Sequence, residues 1–267
     1  MSPKKTQPQT HYPDPESRRR KIMDHVVRVG ATHVEELAEI LGVSAMTVYR
    51  DVAELERTQL VTRRRGEVTA AESSLTEASY RLRMNTHSEV KNTLADAARA
   101  YLKRGSSLMV DDSSSTIPLL SDLSEVTPIT VITNAEFVAK YVRDQDDVRL
   151  LLIGGEYESW ADSYFGDLAE VAISQLRVDL CVMSSSALTA THFYHPNENV
   201  ARVKRAMLNV SRKKVLLVDS SKFDRSALYK VGPNTMFDVV ITDTNTPAHI
   251  IDQLEEQGIA VEIVPAD

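Results

Sequence analysis

Two short helical patterns meet at Gly42-Val43, three arginines follow them, and further on seven apolar runs alternate with helical patterns. Together these predict an α/β chain of two domains. The first is a winged helix-turn-helix over residues 17–70, and the second a mainly parallel α/β domain over residues 89–267. Residues 1–16, polar and Pro-rich (Pro3, Pro8, Pro13, Pro15), read as a disordered tail, and 71–88 as a linker. The length of 267 residues fits this division. A hydrophobic content of 42% and a charged content of 26% are ordinary for a globular chain. No apolar run is long enough to span a bilayer, and no signal-peptide core is visible, so a cytoplasmic location without a membrane partner is expected. The one cysteine, Cys181, leaves no intrachain disulfide.

The net charge of −7 argues against a polyanionic partner until its distribution is considered. Residues 1–70 carry 12 Lys/Arg against 10 Asp/Glu, and the rest of the chain carries 19 against 28. The early cations cluster at Arg18–Lys21 and Arg63–Arg65. A local basic footprint on an acidic body suits a protein that docks on double-stranded DNA at one end.

Helix one is expected from Ser17 to Val29, with Ile22, Val26 and Val29 as its apolar stripe and Gly30 as its stop. Thr32 and Glu35 have the spacing of a capping box for helix two, whose buried face is Val34, Leu37, Ala38 and Leu41; Gly42 ends it. Ser44 caps helix three. Counting 100° per residue, Val48, Val52 and Leu55 face inward. Met46, Arg50, Ala53 and Arg57 face outward, with Thr47 and Tyr49 on the flanks. Arg50 suits a guanine edge or a phosphate, Thr47 a phosphate or thymine methyl, and Tyr49 a sugar or phosphate. Leu60–Thr62 reads as a strand, Arg63–Glu67 as the wing tip and Val68-Thr69 as the return strand. Three adjacent arginines on a tight loop are tolerated beside a polyanion. The candidate DNA contacts are therefore Ser44, Met46, Thr47, Tyr49, Arg50, Arg57, Arg63, Arg64 and Arg65.

The run from Val34 through Leu37-Ala38, Leu41-Gly42-Val43-Ser44, Thr47-Val48, Arg50-Asp51-Val52 and Leu55 resembles the DeoR family of bacterial transcription regulators. That family usually has two arginines before the aspartate, where Tyr49 stands here. Its wing usually ends in a His-Gly-Gly turn, where this chain has Arg65-Gly66-Glu67.

In the second domain, Val90, Leu94, Ala97, Ala98, Tyr101 and Leu102 have a helical period that Gly105 stops. Strands are expected at Leu108–Val110, Ile129–Thr133, Val148–Ile153, Leu180–Met183, Val215–Val218, Val239–Thr242 and Val261–Val264. Ligands bind beyond the carboxyl ends of such strands, and the residues there are polar. Asp111, Asp112, Ser113, Ser114, Ser115 and Thr116 follow the first strand, just before a helix expected near Pro118. Thr133-Asn134, Gly154-Gly155, Ser184-Ser185-Ser186 and Asp219-Ser220-Ser221-Lys222 follow others. Hydroxyls and free backbone N–H groups at a helix start can cradle a phosphate. Lys204 and Lys222 are the natural cations for it. His192 and His195 lack the carboxylate or cysteine pattern of a metal site, so no metal or other cofactor is expected, and hydrogen bonding to a sugar or phosphate suits His195 better.

Asp112–Thr116, Thr133-Asn134, Gly154-Gly155, Val203–Met207 and Asp219–Phe223 resemble the effector domain of the same family. The resemblance implies a fold of the ribose-phosphate isomerase and CoA transferase type, binding a phosphorylated sugar or related metabolite. It implies a repressor of a carbohydrate-use operon, released by that ligand and assembled as a homodimer or homotetramer. The alternative is an isomerase-like or CoA transferase-like enzyme, with Asp111, Asp112, Asp219 or Glu198 as its base. The helix-turn-helix has no purpose in such an enzyme, so catalysis is not expected.

Overall fold

A computed structural model describes residues 14–57, 60–71, 77, 79–84 and 87–266. Most of the expected tail, residues 1–13, lies outside the described residues, as does much of the expected linker. The chain forms two compact units, residues 1–71 and 72–267.

In the first unit, α1 runs Pro15–Val29 and starts two residues ahead of expectation. The Asp14 carboxylate accepts the Glu16 and Ser17 N–H groups at 3.0 and 3.1 Å, and Pro15 needs no partner for a donor it lacks. Next come β1 (Ala31–His33), α2 (Val34–Leu41), α3 (Ala45–Arg57), β2 (Val61–Arg64) and β3 (Glu67–Ala70). The sheet order is β1-β3-β2. The capping box does not form. Thr32 pairs with Val68 in the sheet, and its hydroxyl donates to Glu36 rather than capping α2. Strand pairing has claimed the backbone that a cap would use. Gly42 does end α2 in the left-handed region (φ 64°), and the Thr47 N–H donates to Ser44 Oγ at 3.2 Å to cap α3. Arg63 and Arg64 belong to β2. The turn itself is Arg65-Gly66, both with positive φ (51° and 84°), as a two-residue turn between twisted strands requires. Ile22, Val26, Leu37, Val48, Val52 and Val68 pack the core. Arg18, which the sequence places in a basic cluster, is buried instead: its Nε is 2.7 Å from the buried Asp51 carboxylate.

The second unit opens with α4 (Tyr80–Met84) and α5 (Ser88–Ala98), followed by β4 (Ser107–Val110), β5 (Ile129–Thr133), α6 (Glu136–Val142) and β6 (Val148–Leu152). A hairpin of β7 (Glu156–Glu158) and β8 (Ser163–Phe165) leads to α7 (Asp167–Ser174) and β9 (Val178–Met183). Then come β10 (Ala187–Leu188), β11 (His192–His195), α8 (Glu198–Val210), β12 (Ser211–Leu217), β13 (Tyr229–Pro233), β14 (Val239–Asp243), α9 (Ala248–Glu256) and β15 (Ala260–Val264). Seven strands form one sheet in the order β15-β14-β12-β9-β4-β5-β6, parallel throughout. All seven expected strands are in it. The central strands are buried on both faces. Leu108, Val110, Leu180, Val182, Val215 and Leu217 pack with α5 and α6. Met109, Cys181, Met183 and Leu216 pack with α7 and α8. A second small sheet has the order β10-β11-β13.

The helix expected near Pro118 is a 3-10 segment, Ser114–Leu120. The Thr116 hydroxyl donates to Ser113 O at 2.8 Å and is fully buried, so the loop offers no α-helix N-terminus to an anion.

Candidate effector pocket and nucleic-acid interface

On α3 of the first unit, Met46 is 63% exposed, and Arg50 and Ala53 are exposed beside it. Arg57 is exposed too, but its guanidinium pairs with Glu54 at 2.6 Å. The Thr47 hydroxyl is within 2.9 Å of Ser44 Oγ. Tyr49 is half-buried against the core, with the Arg63 guanidinium 5.1 Å over its ring, and Arg63 also pairs with Glu56 at 3.4 Å. Arg63 therefore braces the wing against α3. The side chains of Arg50, Arg64 and Arg65 make no hydrogen bond or ion pair among the described residues.

In the second unit, chain order reverses between β4 and β9: β5 and β6 lie to one side of β4, and β9, β12, β14 and β15 to the other. Crevices open at such switch points. A polar pocket lies there, walled by Ser113–Ser115 after β4, Ser184–Ser186 after β9, and Asp219, Lys222 and Arg225 after β12. His195 at the end of β11 and Lys204 from α8 complete that side. Glu77, Arg83, His87 and Lys91 close the other, from the segment expected to be linker and from α5.

Lys204 is 3% exposed. Its ammonium binds the Asp111 carboxylate, lies 3.6 Å from Asp112, and donates to Ser113 Oγ (3.3 Å) and Ser184 O (3.2 Å). Burial opposes its charge, but Asp111 and Asp112 outweigh that and raise its pKa. Burial likewise pushes the Asp111 carboxyl up, whereas Lys204 and Arg83 overcome burial at Asp112 and hold it down. Arg83 donates to Asp112 O at 2.9 Å, and Lys91 to Arg83 O and to Ser114 Oγ (2.9 Å). These cations are committed to the protein. Lys222 differs: half-buried on the pocket wall, its ammonium makes no hydrogen bond or close ion pair among the described residues. Its charge faces Asp219 and Glu77, lowering the pKa of both against the effect of burial. Asp219 is held by its own turn, accepting Ser221 N at 3.1 Å. Burial drives the His195 pKa down to about 4, so at neutral pH the ring is uncharged.

A family model for the DeoR-like helix-turn-helix domain matches residues 18–74, and one for the DeoR C terminal sensor domain matches residues 86–244. The glycerol-3-phosphate regulon repressor of Escherichia coli (strain K12) is 30% identical over 243 residues, covering 91% of this chain and 96% of its own. The chain belongs to the DeoR family. The putative aga operon transcriptional repressor of Escherichia coli O157:H7 is 28% identical, covering 92% of this chain and 93% of its own. The lactose phosphotransferase system repressor of Lactococcus lactis subsp. lactis is also 28% identical, covering 92% and 97%. Among solved structures, ribose 5-phosphate isomerase A from Methanocaldococcus jannaschii covers 52% of this chain and 55% of its own, at 14% identity and a TM-score of 0.38. As a DeoR-family member the chain is a DNA-binding transcriptional regulator.

Of the effector residues expected from sequence, Ser113, Ser114, Ser115, Ser184, Ser185, His195, Lys204, Asp219 and Lys222 line the pocket. Asp111, Asp112, Thr116, Asn134, Gly154 and Gly155 do not. Asp111 and Asp112 lie behind the wall as counter-ions. Asn134 follows β5 on the far side of β4, where its Nδ2 donates to Tyr164 O and its main-chain carbonyl accepts Tyr164 N, both at 2.8 Å, holding it against β8. Gly155 packs on Phe165, where an added Cβ would come within 2.4 Å of a backbone oxygen. Ser186, in the expected serine run after β9, lines the pocket too, whereas sequence reasoning missed Glu77, Arg83, His87, Lys91 and Arg225. Among the described residues no group of three His, Cys, Asp or Glu side chains is placed to hold a metal ion, and no helix is long and apolar enough to cross a membrane.

Proposed function

We propose that this regulator represses a carbohydrate-use operon and is released from its operator by a phosphorylated sugar bound in the crevice between the β4, β9 and β12 loops. The observation that carries this reading is Lys222: a cation whose ammonium has no close partner among the described residues, on a wall of serine hydroxyls beside cations that are already neutralised. A phosphoryl group would gain most from it, with Ser184–Ser186 and Ser113–Ser115 as hydroxyl donors and Asp219 as acceptor for a sugar hydroxyl. The relatives named as repressors of the aga operon, the glycerol-3-phosphate regulon and the lactose phosphotransferase system support the same reading.

On DNA, α3 lies in the major groove, with Arg50 and Met46 toward the bases and Ser44, Thr47 and Tyr49 toward the backbone. Arg64 and Arg65 sit on flanking phosphates. A two-fold oligomer would read paired half-sites. Catalysis is not part of this reading: Asp111 is bound to Lys204, Asp219 to its own turn, and Glu198 is exposed on α8.

The test is a panel of pentose and hexose phosphates against their unphosphorylated sugars, read by thermal shift on the full chain. A ligand of the native state raises the apparent Tm. At least one phosphate ester should do so without turnover, and its parent sugar should not. Lys222→Ala should lower affinity for that ester at least tenfold in a protein that still unfolds in a cooperative urea transition. A panel without any stabilising phosphate ester would overturn the reading.

A further inference from the structure

Glu77 lies six residues beyond Ala71, where the first unit ends, and its side chain is 5% exposed inside the second. Its carboxylate accepts the Ser186 hydroxyl and lies 3.4 Å from His195 Nε2. His195 Nδ1 lies 3.0 Å from the Asn197 N–H and 3.2 Å from Asn197 O, and with the N–H donating to Nδ1 the ring carries its proton on Nε2, facing Glu77. Burial works against the Glu77 charge, but His195, Arg83, Lys222 and Ser186 outweigh it and hold the pKa down to about 2. An anion carried by the chain itself therefore occupies a hydroxyl, an imidazole N–H and the field of a lysine. Those are the groups that would hold a phosphoryl oxygen. The crevice spans about 460 Å³ counting its open mouth, but its cavity is only about 30 Å³. At about 10–15 Å³ for each water-sized group it holds two or three, and a phosphorylated sugar is several times larger.

We propose that Glu77 is a tethered stand-in for the ligand anion, and that an entering phosphoryl group takes its place on Ser186, His195 and Lys222 and expels the segment that carries it. This rests on the crevice being the anion site. Two anions sharing these donors would repel each other in a buried setting, so ligand and carboxylate are alternative occupants. The segment has a second anchor at Tyr80, whose N–H donates to Trp160 O at 3.0 Å and whose ring stacks on Phe137 with centroids 5.2 Å apart. Releasing Glu77 removes a docked residue six positions beyond Ala71 and leaves Ser79 and Tyr80, eight and nine positions beyond it, as docked residues. Ligand occupancy is thereby written into the tether of the DNA-binding unit.

The test uses full-length wild type, Glu77→Ala and Glu77→Gln, with inorganic phosphate as the probe. Calorimetry gives affinity, and amide exchange at residues 77–84 and the emission of Trp160, the chain's single tryptophan, report undocking. Glu77→Ala should bind phosphate at least tenfold more tightly than wild type, with Glu77→Gln between them. Saturating phosphate should accelerate exchange at residues 77–80 and shift Trp160 emission in wild type, whereas Glu77→Ala should show both changes beforehand. If Glu77→Ala does not fold, Glu77→Gln supplies the affinity comparison alone. Equal affinity in all three proteins, or slower exchange at 77–80 with phosphate, overturns the displacement while leaving the anion site intact. Absence of phosphate binding in all three overturns the anion site and the displacement with it.

Discussion

Lys204 is a buried counter-ion by its geometry, and Lys204→Met puts that to the test. Methionine keeps the length and apolar stem of lysine but removes the ammonium. Asp111 and Asp112, with side chains 1% and 2% exposed, then lose the cation that neutralises them. Breaking a buried ion pair by deleting one partner costs about 3–5 kcal/mol, a large part of a domain's total of about 5–15 kcal/mol. With a urea m-value of about 2 kcal/mol per molar, the midpoint should fall by about 2 M. Trp160 emission reports the transition of the second unit, in whose core it packs. The pH dependence has a definite sign. Without Lys204, burial and mutual repulsion raise the folded-state pKa of the carboxyl pair above its unfolded value. The variant's extra stability from holding a proton is then present at low pH and is lost as pH rises through that raised pKa. The penalty should grow from pH 5 to pH 8. Adding Asp111→Asn to Lys204→Met should recover much of the loss. A midpoint within about 0.5 M of wild type at pH 8, or a penalty indifferent to pH, would refute the counter-ion assignment.

Arg50→Ala should weaken operator binding by about 1–3 kcal/mol and relax preference at one base position, read by binding to a library of single-base operator variants. Arg64→Ala and Arg65→Ala should weaken binding to all sequences alike, each reducing the slope of log affinity against log salt by about 1 in a salt titration. Asp51→Asn removes the carboxylate charge that faces the buried Arg18 guanidinium. It should destabilise the first unit by about 3 kcal/mol, seen as an early melting transition in circular dichroism that leaves Trp160 emission unchanged.

The seven strands of the large sheet were legible because each is a run of branched and apolar residues buried on both faces, the strongest pattern a parallel sheet leaves. The hairpin β7–β8 and the sheet β10-β11-β13 were not, since their strands are two to five residues long and partly exposed. Thr32 misled because a capping box and a short strand share the same residues, and the pairing of β1 with β3 decided between them. The burial of Lys204 could have been found. It stands on the stripe of Val200, Val203 and Met207, four residues after the first and three before the last, and so points inward. Glu77 could not. Its partners are 109 and 118 residues away in sequence, and a lone glutamate in a polar stretch carries no local signal.

Polarity at the end of every strand arose from different causes, and the strand order separates them. Because β4 and β9 are neighbours while chain order reverses there, their loops diverge and leave a crevice, and β12 brings a third loop to it. The loops after β5 and β6 are drawn away from that point, and the Nδ2 of Asn134 donates to β8. Within the crevice the charges divide again. Lys204 and Arg83 lie against Asp112, and Lys91 against Ser114, so they form a floor whose ion pairs a ligand could break only at the cost of burying an unpaired carboxylate. Lys222 faces Glu77 and Asp219, His195 Nε2 lies 3.4 Å from Glu77, and Glu77 sits on a segment covalently continuous with the DNA-binding unit. A ligand that is to be felt at the operator therefore has to act on the second group, because the first has nothing to give up.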